Sequence, residues 1–174
     1  MVRLPEEDGE PEVLAVTDRN HHRIGLLDPR TQAWVAWHGE EGQGLGQFGG
    51  PRGIARVGVG LSAGNETPVA ELAVVENDNG RIQIVSPRSG AATRILRLVG
   101  RDGLPVHLHA PGGCATVSGK WARDPWAFQR PVEQQRDELG LLAVPSFAQP
   151  DGGSGCVHII HLLTGVVQHT LEVP

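Results

Sequence analysis

Histidine is the residue type with the widest chemical reach in this sequence. Eight occur in 174 residues, among them the adjacent pair His21-His22 and the alternating pair His107-x-His109. On an extended chain alternate side chains share a face, so His107 and His109 can present two imidazoles together, the beginning of a transition-metal site. A site needs further ligands, and neither a carboxylate nor a cysteine stands at a defined spacing from that pair. His158 and His161 are three apart in an apolar run and point to opposite faces of a strand, while His38 and His169 have no evident partner. The two cysteines, Cys114 and Cys156, lie in no C-x-x-C or Cys/His spacing and read as free thiols. No H-E-x-x-H helix or phosphate loop occurs, and the glycines of 42–50 lead into a strand rather than the helix whose N-terminus a dinucleotide fingerprint needs. Ser118 and Ser154 sit in loop-like composition. No catalytic residue, metal site or cofactor is assigned.

The elements that would position these side chains come from an internal repeat. Residues 13–34, VLAVTDRNHHRIGLLDPRTQAW, align without a gap on 71–92, ELAVVENDNGRIQIVSPRSGAA, at a constant spacing of 58 residues, so that Arg23-Ile24 falls on Arg81-Ile82. A third unit, 139–173, has the same run of strands and a Thr164-Gly165 turn in place of Ser89-Gly90, but it lacks the Arg-Ile pair and has Pro145 where a polar residue is expected. The segment GGPRGIARV (49–57) has a looser partner in HAPGGCATV (109–117).

Within each unit a short apolar strand leads, through a variable connection, to an almost wholly apolar one (Val13–Thr17, Leu72–Val75, Leu141–Val144) of the kind buried on both faces. A tight turn follows, of which Asn77-Asp78-Asn79-Gly80 is the clearest, because Asn-Gly accepts the positive φ angles that match strand twist. Then come RIQIV or RIGLL, a second turn and a more polar outer strand. Four antiparallel strands repeated with turn residues at fixed offsets describe the blades of a β-propeller, here stretched beyond the usual blade period of about 40–50 residues. The expected fold is all-β, a partial propeller of about three four-stranded blades. Residues 1–11 form an acidic tail, 12–50 the first blade, 51–110 the second, and 111–174 the third with an inserted connection at 118–140. The first blade lacks a clear innermost strand unless Val2-Arg3-Leu4 supplies it. Three blades are too few to close a ring. The chain is therefore expected to be a piece of a larger propeller, an open array, or one half of a homodimer that completes the ring.

Composition agrees with a globular chain. The hydrophobic fraction is 39%, glycine and proline number 24 and 13 as many turns require, and no apolar run reaches the roughly eighteen residues of a membrane span. A formal charge of −5 gives no global attraction to phosphate backbones or anionic membranes. The start of the chain carries no apolar leader, so the expected location is intracellular, in the cytoplasm.

Gly42-x-Gly44-x-Gly46-Gln47-Phe48, then Pro51-x-Gly53-Ile54-Ala55, an apolar strand, and Asn77-Asp78-Asn79-Gly80-Arg81-Ile82-Gln83-Ile84-Val85 resemble the signature of the NHL repeat over residues 42–90. The first unit shares it from about Leu14 to Asp28, and the third keeps only the strand pattern. The resemblance implies a propeller, most often six-bladed, of the kind found at the end of tripartite-motif proteins, although no RING, B-box or coiled coil is present in these residues.

In such a fold the turns after each second strand share one rim with the inter-blade connections, and loops there carry binding. That rim would hold His21, His22, Asp78, Asn79, His107 and His109. Trp121, Trp126 and Phe128, beside prolines in the inserted connection, are candidates for docking a partner. Trp34 and Trp37 have opposite parity, so one of them is expected to pack between blades. The function expected is a non-catalytic scaffold for protein partners, as in substrate recruitment by a ubiquitin-ligase-like or signalling protein. An alternative is RNA binding through Arg94, Arg97 and Arg101, which lack interleaved aromatic rings and read as a solvated outer edge. A metal-dependent hydrolase or lyase is third, and the innermost strands GIARVGV and GCATV offer no His, Asp, Asn or Glu side chain to a central channel.

Overall fold

The computed structural model describes residues 1–4, 11–61, 68–116, 141–147, 154–162 and 164–173. These form twelve strands in three four-stranded sheets, with no helix among the described residues. The first sheet contains β1 (Val2–Leu4), β2 (Val13–Asp18), β3 (Arg23–Leu27) and β4 (Trp34–His38). The second contains β5 (Pro51–Leu61), β6 (Pro68–Glu76), β7 (Arg81–Val85) and β8 (Ala92–Leu96). The third contains β9 (Ala115–Thr116), β10 (Leu141–Ser146), β11 (Cys156–His161) and β12 (Val167–Glu172). In each sheet the strands lie side by side in chain order and all pairs are antiparallel. The array is a partial propeller and does not close on itself.

Val2–Leu4 supplies the missing innermost strand, pairing with Val13–Ala15. The acidic residues that follow hide it in the sequence, but Leu4 is buried in the core and Val2 packs against it.

The repeat extends to backbone irregularities that composition does not show. Each sheet has a bulge between its third and fourth strands, at Leu26/Leu27, Ile84/Val85 and Ile159/Ile160. His22 adopts a positive φ of 53° at the place where Gly80 has 58°, and Gln32 adopts 58° where Gly90 has 68°. Histidine is among the non-glycine residues that tolerate this region better than most.

Successive side chains of a strand point to opposite faces, and this alternation divides the core in two. Val13, Ala15, Ile24 and Leu26 of the first sheet meet Leu72, Val74 and Val85 of the second, with Phe48 and Ile54. On the other side, Ala73, Val75, Ile82 and Ile84 meet Leu142, Val144, Ile160 and Leu162 of the third sheet. The second sheet is thus covered on both faces, which is why LAVV at 72–75 is continuously apolar. No helix in the described residues is long and apolar enough to cross a membrane.

Candidate functional site

The last residue of each second strand pairs with the first residue of the third: Asp18 with Arg23, Glu76 with Arg81, and Ser146 with Cys156. In the third unit the place of Glu76 therefore belongs to Ser146 and not to Pro145. At this turn edge the connection arriving from the preceding sheet is held.

In the second sheet the holding is done by a buried carboxylate. Glu76 is fully buried, and its Oε1 accepts hydrogen bonds from Arg81 Nε at 2.7 Å and Gln83 Nε2 at 2.9 Å. Its Oε2 accepts from Gly49 N at 2.8 Å and Asn79 Nδ2 at 2.6 Å. Arg81 also donates to the carbonyls of Gln43, Gly44 and Gln47, and Gln83 joins the backbone of Gly46 and Gln47. Two backbone bonds complete the attachment, Asn77 N to Gly50 O at 3.0 Å and Asp78 N to Gly49 O at 3.1 Å. The glycines are needed because the segment is pressed so close: a Cβ on Gly50, which has φ of 55°, would lie 2.4 Å from Asp78 Oδ2. A charge taken out of water is tolerable only when its lone pairs are met, and here the donors are supplied by the loop, the turn and the third strand. The GQF segment and the N-D-N-G-R-I-Q segment are thus two halves of one polar clamp.

The third sheet clamps more simply. Ser146 Oγ accepts from His109 N at 2.9 Å and donates to His109 O at 3.0 Å, while Phe147 N donates to the same carbonyl at 3.0 Å. Cys156 and His158 stand where the second sheet has Arg81 and Gln83. Their Sγ and Nε2 are 3.3 Å apart, and His158 Nδ1 lies 3.0 Å from Thr170 Oγ1. The arrangement has the connectivity of a nucleophile, a base and an orienting group. Its electrostatics run the other way. Burial, and then Glu172, pushes the Cys156 thiol up, while burial, and then His109, pushes the His158 imidazole down. Both groups are held in their neutral forms, which withholds the thiolate that nucleophilic chemistry needs.

The first sheet has the same edge without a loop upon it in the described residues. Asp18 keeps the local partners: Arg23 Nε at 3.1 Å and His21 Nδ1 at 2.9 Å from both carboxylate oxygens. Burial raises the Asp18 carboxyl, but the bonds from His21 and Arg23 outweigh it and hold the group below its ordinary range. The backbone N–H groups of Arg19 and Asn20, equivalent to those of Asn77 and Asp78, have no carbonyl acceptor among the described residues. Gly25 replaces Gln83, and over it lie Trp34 and Trp37, their ring centroids 4.3 Å apart and planes inclined by 32°. A Cβ at position 25 would come within 2.4 Å of Trp34 and 2.7 Å of Trp37. The Arg23 guanidinium stacks on Trp37 at 3.8 Å. The indoles remain 47% and 38% exposed, and with Val16–Asn20 they line an open cleft of about 270 Å³.

The bulge at Leu26/Leu27 explains why parity misplaces the tryptophans. Trp34 pairs with Leu27 and Trp37 with Gly25, so both lie on one face and neither packs between sheets. Among the rim residues expected from sequence, His22, Asp78 and Asn79 come together around the loop: Gly50 N donates to His22 Nδ1 at 3.1 Å, Asn79 Nδ2 donates to Gly42 O at 2.8 Å, and Asp78 pairs with Arg19 at 3.6 Å. His21 is exposed beside Asp18, His107 is exposed on the next connection, and His109 is clamped there through its backbone. No three His, Cys, Asp or Glu side chains converge as metal ligands among the described residues. Trp121, Trp126 and Phe128 lie outside the described residues. Arg94 is half-buried rather than solvated, Arg97 is exposed, and Arg101 donates to Gln168.

No family model matches the chain, and no curated protein matches it. Among solved structures it is similar to an auxiliary nutrient binding protein from Bacteroides thetaiotaomicron, with a TM-score of 0.45 and 16% identity over 76% of this chain and 32% of that one. It is also similar to Kuenenia stuttgartiensis hydrazine synthase, with a TM-score of 0.40 and 12% identity over 92% of this chain and 46% of that one. The chain thus spans less than half the length of either, and both are distant β-rich folds.

Proposed function

We propose that this chain is a non-catalytic propeller scaffold of the NHL type, and that the turn edge of its first sheet receives a peptide segment of a protein partner. One observation carries the proposal: the second sheet uses the same edge to hold a peptide segment, and the first sheet offers it with no loop upon it among the described residues. A partner backbone entering as Gly49-Gly50 does would bring two carbonyls to the N–H groups of Arg19 and Asn20. The indole pair supplies an aromatic wall, and tryptophan and arginine are the residue types that dominate binding energy at protein interfaces. A cleft of about 270 Å³ is below the roughly 300–1,000 Å³ of small-molecule sites and accommodates one or two anchoring side chains.

The test places a photo-crosslinking amino acid at Val35, which is exposed between the two tryptophans. Discrete protein adducts are expected, resistant to ribonuclease and abolished by Trp34→Ala with Trp37→Ala. Adducts removed by ribonuclease, or unaffected by loss of both indoles, would overturn the proposal.

A further inference from the structure

The two ends of the array present complementary halves of a junction that the chain already builds twice. Each sheet has a leading face, toward the sheet before it, and a trailing face, toward the sheet after. The leading face of the second sheet, Leu72, Val74 and Val85, is buried against the first sheet. Its register equivalents in the first sheet are Leu14, Val16 and Leu27, and these are only half-buried. The trailing face of the second sheet, Ala73, Val75, Ile82 and Ile84, is buried against the third. Its equivalents there, Ala143, Pro145, Val157 and Ile159, are likewise half-buried and belong to neither core cluster.

We propose that two copies of this chain associate head to tail, the trailing face of each third sheet covering the leading face of the other copy's first sheet, to close a ring of six sheets. The occupant follows from continuity with the internal junctions: the side chains that cover Leu72 and Val74 come from the trailing face of a neighbouring sheet, and the one trailing face left open in the described residues is that of the third. Neither face carries a charge at these positions, so the contact leaves no buried ion unpaired. Trp34 and Trp37 are no obstacle. Trp34 stands where the second sheet has Ala92, beneath Gly46, so the pair takes the room of the Gly46 part of the incoming loop and not that of a preceding sheet. Two copies give two identical junctions related by a twofold axis, and six sheets fall within the four to eight blades typical of closed propellers.

Light scattering on the full chain tests this. The expected mass is twice the 18.6 kDa of one chain, constant with rising concentration. A species of one-chain mass at all concentrations overturns the proposal, as does a mass that climbs without a plateau, because that is the open filament a non-closing junction gives. Leu14→Lys and Ile159→Asp each place a charge in both junctions, so either variant alone should run at one-chain mass while keeping its sheet circular dichroism. Mixing the two variants leaves one junction native and sets lysine opposite aspartate in the other, and should restore the two-chain mass. Folded variants that do not recover it on mixing would refute the head-to-tail contact, as would single variants that keep the two-chain mass.

Discussion

Replacing Glu76 by glutamine changes one oxygen for an NH2 group in a site with no slack. Both carboxylate oxygens accept two bonds, Oε1 from Arg81 and Gln83 and Oε2 from Gly49 and Asn79. Whichever way the amide is turned, its NH2 faces two donors, so two accepting contacts are lost and the half-buried Arg81 guanidinium loses its counter-charge. A hydrogen bond to a charged group contributes about 1.5–3 kcal/mol, and breaking a buried ion pair from one side costs about 3–5 kcal/mol. The two routes agree on roughly 3–5 kcal/mol for Glu76→Gln. Set against a total stability of about 5–15 kcal/mol, that is a large fraction, and for a chain of this size it lowers Tm by about 6–20 °C.

The repeat provides an internal control. Asp18 and Arg23 form the corresponding pair, but both side chains are partly exposed, at 24% and 33%, and no loop depends on them in the described residues. Asp18→Asn should therefore cost no more than about 1 kcal/mol. Urea unfolding of both variants measures the difference, and amide hydrogen exchange should show protection lost at Gly46 and Gly49 in Glu76→Gln. A cost below about 1 kcal/mol for Glu76→Gln, or equal costs for the two variants, would refute the reasoning that the buried carboxylate anchors the loop.

Two further outcomes follow from the site geometry. Gly25→Ala puts a methyl group inside the contact distance of both indoles, so the stack must separate; the expected signs are loss of the tryptophan exciton couplet in far-ultraviolet circular dichroism and a destabilisation of about 1–3 kcal/mol, and an unchanged couplet would contradict the packing. His158 is held below its ordinary pKa by burial and then by His109, so between the unfolded value of about 6.5 and its lower folded value the unfolded chain binds more protons. Its stabilising contribution is thus present above about pH 6.5 and lost as pH falls through the folded value. The urea midpoint should drop from pH 7 to pH 5, and His158→Gln should flatten part of that slope, the remainder reflecting His38, which burial shifts in the same direction. An unaltered slope in His158→Gln would place the titration elsewhere.

The all-β repeat was legible because it rests on spacing: strands of alternating or continuous apolar residues between turns whose φ angles few residue types accept. What escaped was set by register. A bulge adds one residue to one strand of a pair, so every parity inference that crosses it reverses, and Trp34 and Trp37 came out on a shared face. Ser146 was hidden one position beyond Pro145 because a serine hydroxyl can take over a clamp that a carboxylate performs in the second sheet, and no residue-type match reveals that equivalence. Val2–Leu4 is too short to show periodicity and counts as a strand only through its pairing with β2. The rim histidines invited a metal reading, yet His22 is used as a backbone acceptor and His109 is held through its own amide.

The chemistry of the turn edge is decided by what stands at the third position of each third strand. With glutamine, at Gln83, the side chain reaches the backbone of Gly46 and Gln47, and the edge consumes its hydrogen-bonding capacity on its own chain. With histidine, at His158, the side chain turns to Cys156 and Thr170, and the incoming connection is left to the Ser146 hydroxyl and the backbone of Pro145 and Phe147. With glycine, at Gly25, nothing reaches out, and the space above the strand is taken by two indoles that a side chain of any size would exclude. One position thus converts an edge that grips a loop into one that displays aromatic surface beside two backbone donors with no carbonyl acceptor among the described residues. An open edge of this kind requires no new element, only the loss of the residue that would have reached for the loop.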